Sequence, residues 1–333
     1  MKPINIAIVG ASGMVGQMFL KVLEERKLPI ANLYLFASAR SAGQTVKFNG
    51  QDIVIKELAP DVFDRGIDFA LFGVEGDISK KYAPIAARAG CVVVDNSSAW
   101  RMADNVPLVV PEVNPVDLAG HPGIVANPNC CATPAVVALK PLLDTYGLQR
   151  VVISTYQSVS GAGVGGMADL EKTLQGEAPT HFPYPIAGNL IPHIDTFHDC
   201  GYTGEEKKLM AEIRKILHAS DLPLTATTVR VPVEYGHSLS MNVTLGREFD
   251  LEDVRTLLKN APGIILQDDG ANNEYPMPLH AAGTDNVYVG RLRRDDSFPN
   301  SLNLWVVADN TRKGAATNAV QIVEALLDES PNF

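Results

Sequence analysis

Cysteine is scarce. Four thiols, Cys91, Cys130, Cys131 and Cys200, occur in 333 residues. They form no Cys-x-x-Cys pair and no Cys/His spacing of zinc type, so neither a disulfide framework nor a metal site is expected. No run of 18 apolar residues occurs, so no membrane span is expected. The opening MKPINIAIVGASG enters a strand pattern without a charged-then-apolar leader, and the expectation is a cytoplasmic protein with reduced thiols. Positive charge is also in deficit: 28 Lys and Arg stand against 38 Asp and Glu, a formal net charge of −10. That argues against nucleic acid or an anionic membrane as partner, and leaves room for a small anionic substrate in a local basic pocket. There is no internal repeat.

What is present is a chain long enough for two domains, 46% hydrophobic and 20% charged. Ile4–Val9 (INIAIV) is the short β-branched run of a buried parallel strand. Gln17–Arg26 has helical apolar spacing. Leu33–Ala37, Asp68–Gly73 and Cys91–Asp95 read as further strands, with a helix-like SKKYAPIAARAG before the last. This alternation predicts an α/β fold with a doubly wound parallel sheet. After about residue 130 the apolar runs alternate with polar residues: Val151–Gln157, Thr225–Val233, Ser238–Leu245 and Asn303–Ala308. One polar face per strand predicts an α+β domain with a mixed, mostly antiparallel sheet. Helices are expected over Gly204–Ala219 and Leu251–Lys259. Gln175–Gly201, rich in Pro, His, Gly and aromatics, reads as a long irregular excursion. Gly314–Leu327 is an amphipathic helix expected to return to the first domain. The division expected is 1–129 with 312–333 as a dinucleotide-binding domain, and 130–311 as a catalytic and dimerisation domain.

GASGMVG joins the first strand to the first helix. Gly10 suits the tight turn, Gly13 the approach of backbone to a pyrophosphate, and Gly16 the close packing of helix on strand. Ser12, Met14 and Val15 lie between them, where helix N–H groups meet the anion. The second strand ends in ASARS, with no acid to hold a ribose 2′-hydroxyl. Ser38, Arg40 and Ser41 suit a 2′-phosphate, so NADP is the cofactor expected.

NPNCCATP, residues 127–134, sets two cysteines at a helix start, with Pro134 in the first turn. Partial positive charge there favours a thiolate. Adjacent helical residues point about 100° apart, so only one thiol is expected to face a given cleft, and the pattern alone does not choose between Cys130 and Cys131. A nucleophile needs an acid/base partner and groups to hold its substrate. Candidates are His237 in VPVEYGHS, Arg230 in the strand before it, Arg101 after DNSSAW, and Gln157 before the glycine-rich SVSGAGVGG.

GASGMVG, ASARSAG, DNSSAWRM, VPLVVPEVN, ANPNC, SVSGAG, GYTGEEKKL, VRVPVEYGHS and VYVGRLRRD follow one another over nearly the whole chain. In this order they resemble the bacterial aspartate-β-semialdehyde dehydrogenases. The resemblance implies Cys130 as nucleophile, His237 as acid/base and Gln157 as the residue orienting the thioester. It implies Arg230 as the clamp on the substrate carboxylate. Glu205 and Lys208 would meet the substrate amino group and phosphate, and Arg101 and Asn129 the phosphate. Ser160, Gly161 and Asn310 would lie near the nicotinamide. Cys131 departs from the pattern, since the family usually has Ser or Thr there; a packed core thiol is expected.

The implied chemistry is reduction of L-aspartyl-4-phosphate to L-aspartate 4-semialdehyde. It would run through a cysteine thioester with release of inorganic phosphate, in a homodimer serving lysine, threonine and methionine synthesis by way of diaminopimelate. A sister acyl-phosphate reductase, such as N-acetyl-γ-glutamyl-phosphate reductase, is the alternative, but its neutral acylated amine would give Glu205 no ammonium to pair with. A catalytically silent paralogue would be marked by loss of Cys130, His237 or Arg230, and all three are present.

Overall fold

The computed structural model describes residues 3–329, so residues 330–333 of the expected terminal segment lie outside the described residues. The chain divides into two compact units, Met1–Pro128 with Ala315–Phe333, and Asn129–Gly314.

The first unit is built on β1 (Ile4–Val9), α1 (Met14–Arg26), β2 (Ile30–Ala37), β3 (Thr45–Phe48), β4 (Gln51–Glu57), β5 (Phe69–Phe72), α2 (Gly76–Arg88), β6 (Val92–Asp95) and β7 (Ile124–Ala126). The sheet order is β3-β4-β2-β1-β5-β6-β7, parallel throughout except for the antiparallel β3–β4 hairpin. The central strands are buried on both faces, which is why they read as unbroken apolar runs. Phe19 and Leu23 of α1 pack with Ile6, Ile8 and the C-terminal helix residues Val320 and Val323 in one core. Each such side chain contributes about 1.5–3 kcal/mol by burial. The C-terminal helix, Thr317–Glu329, is also tied to α1 by the Arg26–Glu324 ion pair at 2.6 Å.

α1 starts at Met14, three residues ahead of the expected start. Gly13 is its cap residue, and Gly16 sits inside the first turn. A Cβ on Gly16 would lie 2.2 Å from the Gly10 carbonyl oxygen, so a Gly16→Ala chain could not keep helix and strand this close.

The second unit carries α3 (Ala132–Tyr146), β8 (Leu148–Gln157), α4 (Gly163–Leu174), α5 (Gly204–Ile216), β9 (Leu224–Arg230), β10 (His237–Leu245), α6 (Leu251–Lys259), β11 (Ile264–Leu266), β12 (Val287–Arg294) and β13 (Ser301–Ala308). Its sheet order is β11-β12-β13-β10-β8-β9, with antiparallel pairs at β12–β13, β13–β10 and β10–β8 and parallel pairs at the two edges. α3 packs on β10, β12 and β13 and beside α5 and α6. β9 stops at Arg230, short of the expected Val233, because Pro232 has no N–H for the ladder. α5 ends at Ile216, short of the expected Ala219, where His218 takes φ 52°. Residues 175–201 form the irregular excursion expected.

Candidate active site

In the second unit, strand register assembles the site. Gln157 is the partner of Arg230 in the parallel β8–β9 ladder. In the antiparallel β10–β8 ladder Ser238 faces Tyr156, so His237 reaches the same end of the sheet. The ends of three adjacent strands thus bring together residues far apart in sequence.

Cys130 stands just ahead of α3. Its N-terminus is capped two residues early: Asn129 Oδ1 accepts from Cys131 N at 2.8 Å and Ala132 N at 3.3 Å. Cys131 is the cap residue, already with right-handed helical dihedrals at φ −93° and ψ −30°, and Cys130 precedes it. The Sγ atoms of Cys130 and Cys131 and a ring nitrogen of His237 all lie within 4.8 Å of one another. Cys131 is wholly buried and Cys130 half-buried. Gly314 lies against Cys130, where a Cβ would come within 3.1 Å of the cysteine Cβ.

Electrostatics separate the pair. The Cys131 thiol beside Cys130, then the His237 ring and the Arg230 guanidinium, outweigh burial and hold the Cys130 thiol well below its ordinary value. Burial, then the Cys130 sulfur beside it, push Cys131 well up, so it stays protonated.

His237 is fully enclosed. Ser158 N donates to its Nδ1 at 3.1 Å, which leaves the neutral ring proton on Nε2. Among the described residues Nε2 has no conventional hydrogen-bond partner, and the ring lies beside the Cys130 sulfur. Gly161 gives this edge its room, since a Cβ there would meet His237 Nε2 at 3.1 Å and Arg230 Nη1 at 2.9 Å. Arg230 donates from Nη1 to Ser158 O at 2.7 Å and keeps a buried Nε without a hydrogen-bond partner among the described residues. The Phe182 ring covers its guanidinium at 5.9 Å. Glu205, in the first turn of α5, accepts from Asn129 Nδ2 at 2.9 Å and from Gln157 Nε2 at 3.2 Å. Asn310 Oδ1 accepts from Ser158 Oγ, Ser160 Oγ and Gly236 N at 2.9–3.3 Å, clamping the two turns that hold His237.

Lys208 lies on the same helix as Glu205 and pairs with Asp195. Sequence reasoning missed Glu212, whose Oε2 accepts from Asn129 N at 2.6 Å. It lies about two helical turns from Glu205, so the shared face was a usable signal. It also missed Ser158, for which position after Gln157 was the only clue.

In the first unit, Gly10 has φ 89°, and a Cβ on it would meet Gly73 O at 2.4 Å. The start of α1, with Met14, Val15 and Gly16 in its first turn beyond Ser12, has no side-chain cap and no acidic residue. It is therefore open to an anion. Ser38 and Arg40 are exposed and Ser41 is buried, in a turn closed by Ser41 N donating to Ser38 O at 2.9 Å. Arg101 is buried and donates to the carbonyls of Asn127 and Asn96 at 2.9 and 2.8 Å. These residues fit a dinucleotide at the glycine turn and a 2′-phosphate beside Arg40.

Fold and site define a dinucleotide-binding oxidoreductase of the dehydrogenase class. Residues 5–121 match the family model "Semialdehyde dehydrogenase, NAD binding domain", and residues 139–313 match "Semialdehyde dehydrogenase, dimerisation domain". Aspartate-semialdehyde dehydrogenase of Aquifex aeolicus is 52% identical, over 98% of both chains. The structure of aspartate semialdehyde dehydrogenase II of Vibrio cholerae complexed with ASA superposes with TM-score 0.95, at 44% identity over 99% of both chains. That of the Candida albicans enzyme with NADP gives 0.77, at 26% identity over 98% of both chains. The chain belongs to the aspartate-semialdehyde dehydrogenase family.

Proposed function

We propose that this chain reduces L-aspartyl-4-phosphate to L-aspartate 4-semialdehyde, using NADPH and a thioester on Cys130. The observation that carries the reading is the convergence of a depressed thiol, an unpartnered histidine edge and a buried arginine at one end of the second unit's sheet.

The Cys130 thiolate attacks the acyl carbon, the bond to phosphate oxygen breaks, and inorganic phosphate leaves. Arg230 offers its unpartnered Nε to the substrate α-carboxylate. Glu205 accepts from the ammonium, and Gln157 holds the acyl group over the sulfur. Lys208, Arg101 and Asn129 answer the phosphate charge. The glycine turn with Ser38, Arg40 and Ser41 would hold the dinucleotide, and Ser160, Gly161 and Asn310 would lie near its nicotinamide; bound there, NADPH would supply the hydride that reduces the thioester. His237, its proton on Nε2, donates a hydrogen bond to the acyl oxygen as charge develops there. The carbon–sulfur bond then breaks, releasing aldehyde and restoring the thiolate.

The first unit is read as the NADP-binding domain and the second as the catalytic and dimerisation domain. The dimerisation-domain match supports a homodimer. Four free cysteines accord with a cytoplasmic location.

Phosphate-dependent NADP reduction with L-aspartate 4-semialdehyde tests the reading. Cys130→Ala is expected to lose more than about a thousandfold in kcat, and Cys131→Ala far less. Loss with Cys131→Ala alone would move the nucleophile by one residue. Turnover of the N-acetyl-γ-glutamyl semialdehyde in preference would replace the substrate.

A further inference from the structure

The proposed reaction uses one thiol, yet two converge. Cys130 Sγ, Cys131 Sγ and a His237 ring nitrogen lie within 4.8 Å of one another. Thiolate and imidazole are the donors that hold zinc, and catalytic-type sites use three protein ligands with a fourth position open. We propose that Cys130, Cys131 and His237 bind one thiophilic divalent cation, of which zinc(II) is the type, and that cation and substrate exclude each other at Cys130. The exclusion rests on Cys130 being the nucleophile; the binding does not.

Three observations point to a ligand here. Nε2 of His237 is fully buried and, among the described residues, has no conventional hydrogen-bond partner, while the ring lies beside the Cys130 sulfur. The two sulfurs, from adjacent residues at the start of α3, lie within 4.8 Å of each other and of the ring nitrogen. Cys130 is only half-buried, which gives a cation a way in. With zinc–sulfur bonds of about 2.3 Å, two tetrahedral sulfurs stand ~3.8 Å apart, so the donors need to close by about an ångström at most.

Charge and protons balance. Two thiolates neutralise the dication, and Glu205 offsets Arg230 nearby. Binding forms two metal–sulfur bonds and one metal–nitrogen bond. The Cys131 proton leaves to solvent. The ring proton moves from Nε2 to Nδ1, where Ser158 Oγ at 3.1 Å can accept it. That tautomer turns Nδ1 from an acceptor into a donor facing Ser158 N–H, so binding is expected to be weaker than at a preformed structural zinc site.

The test titrates the full chain with cobalt(II) as a spectroscopic probe, then displaces it with zinc(II). The expected result is one cation per chain, with thiolate-to-cobalt charge-transfer absorption and protection of Cys130 from alkylation. Cys131→Ser and Cys131→Ala should each weaken binding at least about tenfold, with circular dichroism confirming that they fold. Unchanged affinity in both folded variants, or cobalt bound without the thiolate band, would overturn the site. A chain that binds the cation but has no dehydrogenase activity would sink the functional reading and leave the site standing; an active chain that binds none would do the reverse.

Discussion

At the scale of single residues, the reactivity of Cys130 is set by what surrounds one sulfur. A free thiol titrates near pH 8.5. Here the Cys131 thiol, the His237 ring and the Arg230 guanidinium favour the ionised form over the cost of burial. The folded value is depressed, so the thiolate persists as pH falls below the free-thiol range and is lost only on crossing the folded value. Between the two values the unfolded chain binds more protons than the folded one, and Cys130 adds stability as pH rises through that window. Alkylation of Cys130 by iodoacetamide, followed peptide by peptide against pH, should show a midpoint clearly below 8.5. In Cys131→Ala the midpoint should rise, because the largest favourable cause is removed. A wild-type midpoint at or above that of a small free thiol would refute the electrostatic account. NPNCC at a helix start already favoured a thiolate, but which sulfur ionises was not legible there, because that depends on side chains brought in from other strands.

At the scale of elements, the long segment over residues 175–201 is irregular but pinned. Asp169 of α4 accepts from the backbone N–H groups of Thr180, His181 and Phe182 and from Thr180 Oγ1, at 2.7–2.9 Å. Burial raises this carboxyl, and the N–H groups of Phe182, Thr180 and His181 outweigh it and hold it well below the usual range. The fold therefore gains from Asp169 above the unfolded carboxylate value near 4, and loses that gain only as pH falls through the depressed value. Phe182, the last of the three pinned residues, lays its ring over Arg230, so the anchor is linked to the proposed carboxylate clamp. Asp169→Asn keeps the shape but turns one acceptor into a donor facing N–H groups. It should cost about 2 kcal/mol and expose 175–201 to limited proteolysis at neutral pH. Cleavage no faster than in wild type would show that the carboxylate is not the anchor. Composition marked this stretch as irregular, but not its anchor, since Asp169 reads as an ordinary polar position in a helix. The β3–β4 hairpin escaped notice too, although Asn49 and Gly50, both at positive φ, give it a hairpin turn. Its two strands are short and largely exposed, so they carry no apolar run.

At the scale of the whole molecule, the chain leaves one unit at residue 128 and re-enters it at 315. Alternation of strand and helix made the first unit readable, because a strand buried on both faces writes itself as a continuous apolar run. The second unit was readable as alternation, but its site depends on register across β8, β9 and β10, which no local pattern encodes. Cofactor choice, by contrast, is local to the first unit. β2 ends without an acid, and Arg40 stands exposed just beyond it with no ion-pair partner among the described residues. A carboxylate at this place would hold a ribose 2′-hydroxyl and repel a phosphate, whereas a guanidinium with Ser38 and Ser41 does the opposite. The charge-assisted bond is worth about 1.5–3 kcal/mol, so Arg40→Ala should lower kcat/KM for NADP by roughly tenfold or more. The same change should leave kcat/KM for NAD nearly untouched, because NAD has no phosphate for Arg40 to meet. Parallel kinetics with the two cofactors separate the causes. An equal fall with both would mean that Arg40 supports the loop and not the phosphate. A wild-type preference for NAD would mean that the missing acid at the end of β2 had been read the wrong way.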